Sequence, residues 1–405
     1  MNQLATTSAP EQTLDHDAAP VDVRESMRRL PSALQLPLTY LTGKPYTGQR
    51  GPKPTPTFHL ATALGSVAAG LSCSAAAWSG PNLLLLVMGW AMTLHGMRNL
   101  RMLIFHQAAH RNMWAKPHAD RLLGRIIAAV LVVQSFQRYS KEHISDHHAA
   151  RHMTLHDPTV QAMLVTLALR PGMTRQQMWR RIIALLCSPV FHARFAWARI
   201  RSYVHGATLT ERRVALLGYL LLAALLTVLH GWMFFFVAWA LPLFFFFQIS
   251  NVLRLCVEHT FPEKDVEVRR GRAYMAGLSN AIFLGEPVPG DDLTGACRVY
   301  AWVRWTLRMA LIHFPSRYLV LTGDTVVHDY HHRFPMSREW ADYLFARQRD
   351  LEAGHPGWTP YREVWGLIPA INLVLDSLAS ANADEFDLER LAQISDRELF
   401  AAFDD

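Results

Sequence analysis

The sequence predicts an all-α integral membrane protein in which two transmembrane helical hairpins, four spans in all, carry a helical cytoplasmic cap. Three observations predict it. Hydrophobic residues make up 51% of the 405 and the mean hydropathy is positive, an unusual load for a fold buried in water alone. The apolar residues fall into four stretches arranged as two pairs, each close to the ~20 residues that cross a bilayer. Lys and Arg crowd the ends of those pairs that face away from the tight turns, which marks the cytoplasmic side.

Residues 1–55 read as a polar, Pro-bearing cytoplasmic tail, largely disordered. Their opening, MNQLATTSAPEQTLDHDAAP, has neither the basic n-region nor the apolar run of a secretory leader. The first pair of spans is Thr57–Ser79 and Leu83–Met102, joined by the turn Gly80-Pro81-Asn82. The second is Val214–His230 and Trp232–Ser250, joined at Gly231. Arg50 and Lys53 precede the first span, Arg98 and Arg101 close the second, Arg212 and Arg213 precede the third, and Arg254 follows the fourth. The run FFFVAWALPLFFFFQ lacks the polar face that a soluble core helix keeps. Its phenylalanines, Phe234–Phe236 and Phe244–Phe247, are placed either to line a tunnel for an apolar chain or to anchor in lipid.

Between and after the hairpins, shorter amphipathic segments at Leu122–Phe136, Met178–Leu186 and Trp302–Phe314 predict the cap, partly lying on the membrane surface. The main body thus covers residues 56–380, and residues 381–405 form an acidic amphipathic segment, either a docking helix or a solvated tail. Cys73, Cys187, Cys256 and Cys297 are scattered singles, which supplies neither a disulfide framework nor a CxxC zinc pattern.

Histidine is where the chemistry concentrates. HQAAH carries His106 and His110, HISDHH carries His143, His147 and His148, RLCVEH ends at His259, and HDYHHRFP carries His328, His331 and His332. On a helix His328 and His332 share a face, with His331 beside them. All nine fall just beyond the cytoplasmic ends of the hairpins, so one bundle can bring them together. Nine imidazoles exceed the appetite of one tetrahedral ion, and two metals fit better. Asp146, Glu258, Asp324 and Asp329 are candidates to hold imidazole tautomers, although an ion pair with a nearby Arg is an equal claim on each. His152 and His156 extend the i, i+4 ladder from His148 as supporting or surface residues, and His95, His205, His230 and His313 read as structural.

With these boxes in this order, the chain resembles the membrane fatty acid desaturase and hydroxylase superfamily over roughly residues 57–350. The HHRFP ending and the Arg254 to His259 element resemble desaturases. The three residues between His143 and His147 also occur in alkane hydroxylases, whose NYxEHYG element is missing here. The resemblance implies two non-haem irons on the nine histidines, dioxygen, and electrons from an external ferredoxin-, rubredoxin- or cytochrome-type donor with its reductase. It implies oxidation of an aliphatic C–H of a fatty acyl or similar lipid-like substrate, with desaturation favoured over hydroxylation of an alkyl chain or a specialised metabolite. A His-rich metal transporter is the reading from another class, but its ligands would sit inside the spans. The net charge of +7 suits anionic headgroups, an acyl carrier's acidic surface or an acidic electron-transfer protein, and nothing points to nucleic acid.

Overall fold

Thr55 caps the first long helix by accepting from the Phe58 amide, and Pro56 occupies its first position, where a missing N–H costs nothing. In the computed structural model, which describes residues 22–80, 82–114, 116–148, 151–264 and 271–394, the chain is mostly helical with a single two-stranded sheet among those residues. Upstream, α1 (Ser32–Thr42) ends on Gly43 in the left-handed conformation. Then come α2 (Pro56–Ser79) and α3 (Leu83–Asn99), packed as a hairpin. Small residues allow the close approach. A Cβ on Gly70 would overlap Thr93, one on Gly89 would overlap Ser74, and one on Gly96 would stand 2.6 Å from the Ala63 carbonyl oxygen.

The middle of the chain continues as α4 (Pro117–Leu131), α5 (Phe136–Glu142), α6 (Arg175–Leu186) and α7 (Pro189–Gly206). It then enters α8 (Leu209–Val228), opened by a capping box between Thr208 and Glu211, and α9 (Trp232–Leu255). Pro242 lies within α9, and the rod relaxes there into wider π-helical turns at Phe236–Ala240 and Pro242–Phe246. Beyond it lie β1 (Ala281–Phe283), α10 (Gly295–Arg308), α11 (His328–Arg333), α12 (Tyr343–Glu352), β2 (Glu363–Trp365), α13 (Leu367–Ser380) and α14 (Leu388–Ile394). The two strands pair in parallel, Ala281 opposite Glu363 and Phe283 opposite Trp365.

Length and composition single out two helices, α2 and α9, as able to cross a membrane. The other two expected spans are weaker by this measure: α3 is regular for 17 residues before its turns widen, and α8 carries Glu211, Arg212 and Arg213 at its start. No residue of α8 is buried, although Leu216, Leu217, Leu220 and Leu221 lie along it.

One expectation is corrected. Residues 22–55, placed in a disordered tail, are ordered, while residues 1–21 lie outside the described residues. The cause is a set of buried cations: Arg24, fully buried, donates to the Lys44 and Gln35 carbonyls and to Thr39 Oγ1. Lys44 in turn joins Asp22 at 3.2 Å and Glu363 at 2.6 Å. Arg98 and Arg101, which close the second expected span, are buried. Arg98 donates to Asn251 and to the Val320 carbonyl, and Arg101 is sandwiched between the rings of Phe105 and Tyr139, 4.6 and 4.3 Å away. Of the seven phenylalanines placed either to line a tunnel or to anchor in lipid, Phe246 lines the large cavity described below. Phe247 instead packs under Arg98 and Arg199. At the acidic C-terminal segment, Phe386 and Leu391 are buried in the core, Phe386 against Phe261 at 5.2 Å, and residues 395–405 lie outside the described residues.

Candidate metal centre

Backbone periodicity decides which way each histidine points. Past Asn99 the α3 rod continues through a π-helical turn, Leu100–Phe105, into a last α-helical turn, His106–Ala109, so that His106 and His110 point the same way. After α5 the chain widens again, over His143–His147, and the His148 amide donates to the His143 carbonyl, five residues back. In an α-helix His143 and His147 would share a face. The wider turn pairs His143 with His148 instead and turns His147 away. On α11 regular α-helical spacing returns, and His328 and His332 share a face that His331 leaves. His259, just past α9, is pinned by an isolated antiparallel bridge to Ser279, two residues before β1.

The nine histidines sort into two groups. His106, His110, His143, His148 and His331 bring one ring nitrogen each to a common point, as do His147, His259, His328 and His332. In the first group the Nε2 atoms of His331 and His106 are 2.7 Å apart, those of His331 and His148 3.0 Å, those of His148 and His143 3.0 Å, and those of His143 and His110 3.1 Å. In the second, His328 Nε2 is 3.1 Å from His259 Nε2 and from His332 Nε2. Hydrogen bonding cannot explain this. An imidazole nitrogen directs one N–H or one lone pair along a single line, yet His143, His148, His331 and His328 each have two such neighbours. A shared cation does explain it, because donors ~2.1 Å from one ion stand about 3.0 Å apart at adjacent octahedral positions. The residues present therefore fit a metal in each group.

Electrostatics agree. Burial first, and the charge of neighbouring histidines second, hold His106, His143, His148, His259, His331 and His332 well below the usual histidine range and His110 at about 3, while burial opposed by the Glu258 carboxylate leaves His328 at about 4. These eight are neutral at physiological pH, as metal ligands must be. None of the nine lies within α2 or α9, whereas the transporter reading needs ligands inside the spans.

The supporting residues differ from those expected. Glu258 binds Arg254 through both carboxylate oxygens, at 2.7 and 2.6 Å, Asp324 accepts from Gln107, and Asp329 takes a fork of bonds from Arg347. None of the three holds an imidazole in the described contacts, so the ion-pair alternative describes Glu258 and Asp329, though in buried rather than surface form. Burial pushes Asp324 up to about 7. The Asp146 side chain lies outside the described residues. Tautomers are set elsewhere: Asp157 meets His147 Nδ1 and His152 Nδ1, both at 3.3 Å, Ser279 Oγ is 3.2 Å from His259 Nδ1, and the Tyr139 hydroxyl is 3.4 Å from His106 Nδ1. Burial opposes the charge on Asp157, but the two histidines outweigh it and hold the carboxyl below its ordinary range. His152 is buried with its ring 4.6 Å from that of His259. Asp157 escapes a motif search because it sits ten residues past His147. Its one sequence signal is HDP, an acidic cap before a proline, and it does accept from the Thr159 and Met153 amides.

Asp329 also ties the centre to the rest of the fold, because Arg347 pairs with Glu363 as well, at 3.0 Å, and Glu363 receives Lys44. His95 stacks on Tyr318 with its Nδ1 2.7 Å from that residue's carbonyl oxygen, His205 Nδ1 is 2.8 Å from the Arg201 carbonyl oxygen, and His313 accepts from the Gly285 amide, as structural residues do. A cavity of about 780 Å³ opens between α3, α9 and the chain after α10, with Trp90, Leu94, Leu253 and Val320 in its wall together with Glu286 and its partners Arg308 and His313.

Against known proteins, the family model described as fatty acid desaturase matches residues 76–365, which include all nine histidines and Asp157. No curated protein matches the chain.

Proposed function

The chain belongs to the fatty acid desaturase family, and from that premise we propose that it is a membrane-bound oxidoreductase. In this reading it uses two histidine-held iron ions and dioxygen to oxidise an unactivated C–H bond of a lipid-like, fatty acyl substrate. One observation carries the reading: nine imidazoles divide into a group of five and a group of four with nitrogens at metal-ligand separations. Iron bound there supplies dioxygen reduction, which no side chain provides. Four electrons and four protons turn one dioxygen into two waters. Desaturation takes two of each from the substrate's two C–H bonds, and a ferredoxin-, rubredoxin- or cytochrome-type donor with its reductase gives two electrons, with two protons from solvent.

The chain's own residues bind, orient and exclude water. Asp157, Ser279 and Tyr139 fix ring nitrogens, so the coordinating faces are organised before a metal arrives. Burial of Phe105, Leu103, Val257 and Val327 keeps bulk water from the reacting region. The cavity between α3 and α9 offers an apolar wall that includes a polar cluster, the character an acyl chain with a head group requires. Four spans are supported by the uncovered leucines of α8, and a surface-lying α10 by its exposed Val299, Val303 and Leu307. Exposed Arg50, Lys53, Arg212 and Arg213 favour a cytoplasmic site and termini.

The HHRFP ending favours desaturation over hydroxylation. The test is metal analysis of the purified chain followed by reductant-driven turnover of deuterium-labelled acyl substrates, with products read by mass spectrometry. About two irons per chain and an alkene are expected. An alcohol would assign hydroxylation instead, and a zinc-loaded or metal-free chain inert to acyl substrates would overturn the oxidase reading.

A further inference from the structure

We infer that the groove behind the first two histidine boxes is the docking site of an acidic electron-transfer protein, an inference that rests on the oxidase reading above. The groove, about 470 Å³, has a floor that includes Ala108, Ala109 and Phe136, with Arg111, Arg121, Arg125 and Lys141 around it. No acidic residue lines it among the described residues, and Arg111, Arg121 and Lys141 are exposed. Arg125 alone of the four is in a described salt bridge, to Glu211 at 2.8 Å.

Its position supplies the function. The floor is the outer face of the backbone whose inner face holds the five-histidine group: Ala109 adjoins His110, Ile144 adjoins His143, and Ser140 Oγ donates to the Ala109 carbonyl. A partner seated there is separated from the ligands by about one helix thickness, roughly 10 Å. Electrons cross that distance without an open channel.

The cations favour a protein over a small anion. Sites for phosphate-like groups use buried, pre-aimed donors. Here the charges are exposed, the arrangement that steers encounter and sets the rate of a transient complex. An apolar substrate already has the separate cavity between α3 and α9.

The probe is an acidic [2Fe–2S] ferredoxin, whose binding to the metal-loaded full chain in lipid nanodiscs is measured directly at low and high salt. Charge reversal with Arg121→Glu and Lys141→Glu together is expected to weaken binding at least tenfold at low salt and to flatten its salt dependence. Both side chains are exposed, so the thermal melt should be unchanged; the milder Lys141→Gln should give a smaller loss in the same direction. Reversal of exposed Arg304, far along the chain on α10, serves as the control and should leave ferredoxin binding unaltered. With the reductase present, the KM for ferredoxin should rise while the KM for acyl substrate under dithionite stays fixed. Unchanged ferredoxin binding in the double variant would overturn the proposal. A raised acyl-substrate KM under dithionite would do so too, by assigning the groove to an anionic substrate head. Because binding is read without turnover, a chain that docks ferredoxin but oxidises nothing would sink the oxidase reading and leave the docking result standing.

Discussion

Replacing Asp157 by Asn should unload one metal and spare the other. The carboxylate is fully buried and faces four donors: it accepts from His147 Nδ1 at 3.3 Å, the Met153 amide at 2.7 Å and the Thr159 amide at 2.9 Å, and His152 Nδ1 stands 3.3 Å away without hydrogen-bond geometry. Asn keeps one acceptor oxygen and remains a good cap, so the local helix start survives. It loses the charge and the second acceptor, leaving a buried donor facing an NH2 at a cost of about 1–3 kcal/mol. The loss falls on the tautomer and aim of His147, which belongs to the four-histidine group. Outer partners of this kind are worth about 10–100-fold in metal affinity, or ~1.4–2.7 kcal/mol. The five-histidine group shares none of those four donors and should keep its affinity. Metal content and affinity, measured at increasing chelator concentration, should therefore fall from two equivalents toward one in a single step, with turnover lost in parallel. Should Asp157→Asn retain both metals at unaltered affinity and full turnover, the claim that this carboxylate positions His147 is wrong.

Substituting His331 by Ala removes a ligand from the five-histidine group and should cost at least ~100-fold in turnover, while the protein still fractionates with membranes. Full activity would remove His331 from the ligand set. In the α2–α3 hairpin, Gly70→Leu should destabilise the fold by about 1–3 kcal/mol because its side chain meets Thr93, whereas Gly65→Leu, with open space around it, should not; thermal melts in detergent compare them. In metal-free protein the buried histidines titrate lower when folded than the 6.5 of the unfolded chain, about 3 for His110 and about 4 for His328. Between those values the unfolded chain holds more protons, so stability is fully present above pH ~6.5 and is lost as pH falls toward ~4. A melting temperature that stays flat or rises on acidification over that window would contradict buried, neutral imidazoles.

Much of the site was legible because its determinants are local. Spacing within HQAAH, HISDHH and HDYHHRFP named eight of the nine histidines that gather, RLCVEH added His259, and the i, i+4 relation already put His328 with His332. Helical class and an apolar, membrane-suited chain followed likewise from composition and runs of residues. Sequence alone could not assign His147 and His148 to different groups, since that follows from a π-helical turn, a backbone choice fixed by packing rather than by residue type. Nor could it find Asp157, or the order of residues 22–55, where Lys44 bridges Asp22 to Glu363, 319 positions farther along the chain. It could not say what receives Arg98 and Arg101, because a cation beside an apolar run looks alike whether lipid headgroups or aromatic rings receive it. The sequence by itself determined which side chains carry the chemistry and what solvent the body requires. The tertiary structure decided how those side chains divide and what holds them, because ligand direction and buried charge pairing depend on partners that only folding brings near.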